Sequence, residues 1–208
     1  MVIDDYRRWG IGDELFRLRT QRGAFVPSPS LLLPLIRERH MGAPLRGNLF
    51  YYVEYSLGFI QYTEIPVGAS YGISDKFSGC AMAYFVFNNT RYIAHISLDT
   101  IPDFDKRVDW NTFVTQNQRS ITQYAIFRPF DLNSEIGDFS VLNFHQIDRV
   151  GMAVGIITPN LECYSALSDS AHRLLYFRHE TNRRHFTNNL SIEANIGPYL
   201  IPNNTRGW

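Results

Sequence analysis

The apolar pattern changes period along the chain. Over residues 4–22, Leu15, Phe16 and Leu18 recur among alternating charges, which predicts a short amphipathic helix from about Asp13 to Arg22, closed by Gly23. V-P-S-P-S follows as a rigid connector, because proline cannot continue a helix. L-L-L-P-L-I-R-E-R-H predicts a second short helix, broken around Gly42 and Pro44. From residue 49 the period becomes that of strands. Residues 49–53 and 58–63 are rich in aromatic and β-branched side chains, residues 66–76 read as a loop, and residues 81–87 and 90–96 form a hairpin around Asn88-Asn89. A helix is expected near Trp110 and a strand over residues 120–127. A second hairpin is expected over residues 150–167 and a further strand over residues 173–178. The tail is turn-rich. The fold class is therefore α+β, a mainly antiparallel sheet or sandwich flanked by a few helices. The chain reads as one catalytic domain over residues 1–208, with a helical or irregular cap (1–47) on a β-rich body (48–200).

Charge narrows the function classes. The formal net charge is zero, so the chain lacks the electrostatic footprint of a nucleic-acid or anionic-membrane partner. No apolar run reaches the roughly 18 residues of a spanning helix. The N-terminus, M-V-I-D-D-Y-R-R-W, lacks the basic and apolar regions of an export signal. Lysine occurs only at Lys76 and Lys106. A GC-rich genome explains that bias; so does work in a foreign eukaryotic cytosol, where few lysines mean few ubiquitination sites.

The candidate chemistry lies in the first hairpin, F-S-G-C-A-M-A-Y-F-V-F-N-N-T-R-Y-I-A-H-I-S, residues 77–97. A two-residue turn pairs Met82 with His95 and makes Cys80 a diagonal neighbour of His95 on the same face. A three-residue loop sends the two to opposite faces. The only other cysteine, Cys163, falls mid-strand among apolar residues and reads as an inert core thiol. A thiol beside an imidazolium has its pKa lowered and becomes a nucleophile, and the same histidine then protonates a leaving amine. Gly79 leaves room for a substrate carbonyl, and the N–H groups at Gly79-Cys80 can hold an oxyanion.

S-D-K-F-S-G-C, a hydrophobic strand, a short turn and A-H-I together resemble the active-site segment of the bacterial glutamine-deamidase toxins, the cytotoxic necrotizing factors and the Burkholderia lethal factor. The match spans about residues 73–99. The resemblance implies Cys80 as nucleophile, His95 as general acid/base, Ser78 and Gly79 completing the motif, and the backbone carbonyl of Ser74 orienting the histidine. It offers no clear counterpart for that family's supporting glutamine or tyrosine; Gln116, Gln118 and Tyr124 qualify by residue type alone. It further implies a cytotoxic-necrotizing-factor-like sandwich and a toxin or effector made in the bacterial cytoplasm and delivered to a host cytosol. The substrate would be a glutamine of a host protein, a small GTPase or a translation helicase, with no cofactor and no metal.

Other readings stand beside it. Cys80 and His95 are ordinary core residues if the chain is a non-enzymatic β-rich interaction module. The same dyad also serves proteolysis or transglutamination. Cys80, His95 and an upstream histidine such as His40 make a conceivable zinc set, whereas His172, His179 and His185 match no zinc spacing. R-H-E-T-N-R-R-H, residues 178–185, reads as a solvated basic face.

Overall fold

The computed structural model describes residues 2–20, 28–29, 39–40, 42–45, 49–67, 69–129, 150–171, 173–181, 183–187 and 196–203. Helices α1 (Val2–Arg8) and α2 (Ile11–Thr20) open the chain. Strands β1 (Ser28–Pro29), β2 (Arg39–His40), β3 (Gly42–Leu45), β4 (Phe50–Val53), β5 (Ile60–Glu64) and β6 (Tyr71–Asp75) follow. The hairpin strands are β7 (Ala81–Phe87) and β8 (Thr90–Ile96). A short 3-10 turn (Pro102–Phe104), helix α3 (Arg107–Asn117) and strand β9 (Ile121–Phe127) come next. Strands β10 (Val150–Ile157), β11 (Cys163–Asp169), β12 (Leu174–Glu180) and β13 (Arg184–Thr187) complete the sheets.

These strands form two sheets, of order β1-β2-β5-β8-β7-β9-β13 and β12-β11-β10-β6-β4-β3, antiparallel except at β2/β5 and β4/β6. Met82, Tyr84, Ile93 and Phe127 of the first sheet pack against Val53, Ala153, Ile157 and Leu167 of the second, so the sheets stack face to face. Trp110, Phe113 and Val114 of α3 cover the outer face of the first sheet. Val2, Tyr6, Ile11 and Leu15 of α1 and α2 cover that of the second. The class is thus α+β with mainly antiparallel sheets. β7, flanked by β8 and β9 and covered on both faces, is its most enclosed strand, as its unbroken apolar run predicts.

Four sequence expectations need correction. Residues 71–75, expected in a loop, form β6 inside the second sheet, between β10 and β4. Its Y-G-I-S-D sequence is poor in strand formers, but the position demands small side chains: a Cβ on Gly72 would collide with Ile93. Residues 39–40, assigned to a second helix, are β2, held by backbone pairing of His40 to Tyr62; the rest of that helix lies outside the described residues. The basic stretch 178–185 is not one face. It passes from β12 in one sheet to β13 in the other, with Arg178 paired to Glu180 and Arg184 donating to the carbonyls of Pro198 and Leu200. The first helix also starts earlier than expected, and α1 precedes it. Among the described residues no helix is long and apolar enough to cross a membrane.

Candidate active site

Asn88 and Asn89 have φ of 48° and 63°, the pair of left-handed residues that a two-residue type I′ turn requires. The turn fixes the register: Phe87 lies opposite Thr90 and Met82 opposite His95. Cys80, two residues before Met82, is the diagonal neighbour of His95, and both point between the sheets. Pairing with β5 places Gln61 on the other side of His95.

Three further contacts enclose the imidazole. The Phe77 ring stacks on it at 4.1 Å with the planes 3° apart, and the Tyr55 ring lies 4.8 Å away at 46°. Ser74 Oγ, reaching across from β6, is 2.8 Å from His95 Nδ1 and donates its proton to the Val53 carbonyl, also at 2.8 Å. A hydroxyl has one proton, so Nδ1–H must donate to Ser74 Oγ, which leaves the Nε2 lone pair open. His95 Nε2 is buried and has no hydrogen-bond partner. The orienting group is therefore the Ser74 hydroxyl and not its backbone carbonyl. β6 is a strand whose backbone at Ser74 pairs with Val53 on one side and Gly155 on the other, which leaves the side chain to face His95.

Cys80 follows a glycine in an unusual conformation. Gly79 has φ of +143°, strained for any residue with a side chain. Its carbonyl accepts a hydrogen bond from Arg128 Nε at 3.0 Å. Ser78 is exposed and Gly79 partly so, whereas Cys80 and His95 are 4% and 1% exposed.

Burial dominates the electrostatics. It pushes the Cys80 thiol above its ordinary range, against the Leu98 backbone amide and the Arg128 charge, which favour the thiolate, and with Asp99, which opposes it. His95 is pushed down to about 3, first by burial and then by the Lys76 charge. The pair is thus a neutral thiol and a neutral imidazole, not the thiolate–imidazolium pair the sequence suggested, because neither charge has water to stabilise it. The Tyr55 hydroxyl is raised by burial, then by the nearby Cys80 and Asp99, against a hydrogen bond from Ser97.

Two residues not singled out in the sequence lie against His95: Gln61, opposite it on β5, and Tyr55, whose ring contacts the imidazole. In I-Q-Y-T-E the alternation sends Ile60 and Tyr62 to the α3 side and Gln61 and Thr63 to the interior, a signal present in the sequence. Gln116 is exposed on α3, Gln118 follows that helix, and Tyr124 lies on the α3 side with its hydroxyl bonded to the Tyr199 carbonyl. None of the three joins the site. Cys163 is fully buried, and its thiol is pushed up by that burial, as an inert core thiol should be. No group of three or more potential metal ligands occurs among the described residues. His179 stacks on Tyr164 in the second sheet, while His185 belongs to the first.

The described residues thus form an α+β two-sheet sandwich in which His95, oriented by Ser74, and Cys80 lie on the same face between the sheets. The chain matches no family model, no curated protein and no solved structure.

Proposed function

We propose that the chain is a cysteine-dependent glutamine deamidase acting on a host protein, with Cys80 as nucleophile and His95 as base and acid. The observation that carries this reading is the open Nε2 of His95, held in one tautomer by Ser74 on the face that carries Cys80. A neutral imidazole with a free lone pair is the form that can accept the thiol proton as sulfur attacks, and the low basicity that burial gives it is what substrate binding has to offset.

In the first step a substrate carboxamide carbon accepts Cys80 Sγ while the thiol proton passes to His95 Nε2. The tetrahedral oxyanion is assigned to the N–H groups of the Ser78–Gly79–Cys80 turn. His95 then returns the proton to the amide nitrogen, ammonia leaves, and a thioester remains. Water adds to the thioester as His95 takes its proton, and collapse gives glutamate and the free thiol. Delivery as a bacterial toxin or effector belongs to the same proposal, as does a small GTPase or translation helicase as substrate.

One observation favours a second reading. At 4% and 1% exposure, with the thiol raised and the imidazole lowered, Cys80 and His95 also suit the core of a non-enzymatic interaction module. The test is quantitative mass spectrometry of a eukaryotic cytosolic extract incubated with the wild-type protein or with Cys80→Ser. Deamidation predicts glutamine converted to glutamate at a defined site, by the wild type alone, without chain cleavage or amine incorporation. Identical peptide profiles for the two proteins leave the interaction module as the reading.

A further inference from the structure

Gly79 and Arg128 meet for a structural reason. β9 ends at Phe127, which pairs with Met82, so Arg128 emerges beside the point where the chain enters β7. Its Nε donates to the Gly79 carbonyl at 3.0 Å. Its Nη2 lies 3.4 Å from where a Cβ on residue 79 would stand. The glycine is needed for its φ of +143°, since a Cβ there would only touch the guanidinium at an ordinary contact distance. An arginine fork can hold a carbonyl with one nitrogen while keeping its charge near a second group.

We propose that Arg128 is a positioning residue for the Cys80 turn: its guanidinium fixes the Ser78–Gly79–Cys80 backbone through the Gly79 carbonyl and keeps a positive charge beside the sulfur, where the thiolate forms. The inference rests on the assignment of Cys80 as the working thiol, not on the identity of the substrate. Among the described residues, Arg128 at the end of β9 brings a favourable charge to the sulfur and Asp99 beyond β8 an unfavourable one. The Leu98 amide points at the sulfur, His95 stands neutral on β8, and the Tyr55 hydroxyl is close by.

The experiment is the rate of Cys80 alkylation by iodoacetamide against pH, in a Cys163→Ala background. Above neutrality the rate follows the thiolate fraction. Arg128→Gln shifts that alkaline limb to higher pH and lowers the rate at a fixed pH on it by about tenfold, one pKa unit's worth. Arg128→Lys, which keeps the charge, recovers most of the loss. Asp99→Asn shifts the limb the other way, and with Arg128→Lys it decides the matter if Arg128→Gln fails to fold. A purely structural arginine would leave the limb in place. Superimposable limbs for Arg128→Gln and its parent, no recovery with lysine, or an unmoved limb in Asp99→Asn would each overturn the proposal. A shifted limb without any glutamine conversion in the extract retires the deamidase reading alone; conversion with an unshifted limb retires this one alone.

Discussion

At the scale of single residues, the site depends on who holds the one proton of Ser74. Donation to the Val53 carbonyl forces the hydroxyl to accept from His95, which sets the tautomer and leaves Nε2 open. Ser74→Ala leaves a buried N–H without an acceptor, so we expect a loss of about 1–3 kcal/mol in urea unfolding. Ser74 comes into view only through the family resemblance, and there as a backbone carbonyl. The residues around it read as a loop, whereas they form a strand, which presents an alternating side chain to His95. Cys80 and His95 were more legible because the turn between them is local and its Asn-Asn pair specifies a register. Gln61 reaches His95 through the β5/β8 pairing, a long-range contact, and the alternation of its strand hints only at its face.

At the scale of elements, close approach explains both the hidden strand and the shape of the site. Gly155 on β10 pairs with Ser74 on one side and Ser165 on the other, so it lies in the row that faces His95. A Cβ there would sit 2.5 Å from Pro129 Cγ, 2.8 Å from Met82 Sδ and 3.1 Å from Phe77 Cε2. Phe77 is the ring stacked on His95, so the glycine brings the second sheet close enough to seal the imidazole. Gly155→Ala should cost about 1–3 kcal/mol by overpacking and disturb that stack. Chemical denaturation and the His95 ring chemical shifts would read both effects. Long apolar strands such as β7 announce themselves by composition. β6 is specified by the space its neighbours leave, which no local pattern records.

At the scale of the whole molecule, burying a neutral histidine between two sheets makes stability depend on pH. His95 titrates near 3 in the folded state and at its ordinary 6.5 in the unfolded chain. Between those values the unfolded chain binds a proton that the folded chain does not, so this contribution is complete above about pH 6.5 and is lost as pH falls toward 3. Going from pH 7 to pH 5, the wild type should lose about 2 kcal/mol more unfolding free energy than His95→Gln. Equal losses would mean that the imidazole is not held neutral.

The central claim is that His95 acts as a base toward Cys80, and the pH profile of Cys80 alkylation at neutral and acidic pH tests it most directly. In Cys163→Ala, a neutral pair predicts a rate that stays level from neutrality down toward pH 4, because the base remains unprotonated until about 3, with the thiolate limb rising only in alkali. Replacing His95 by glutamine should abolish the level limb and leave the alkaline rise. Superimposable profiles with and without His95 would contradict the account and make both residues parts of the core.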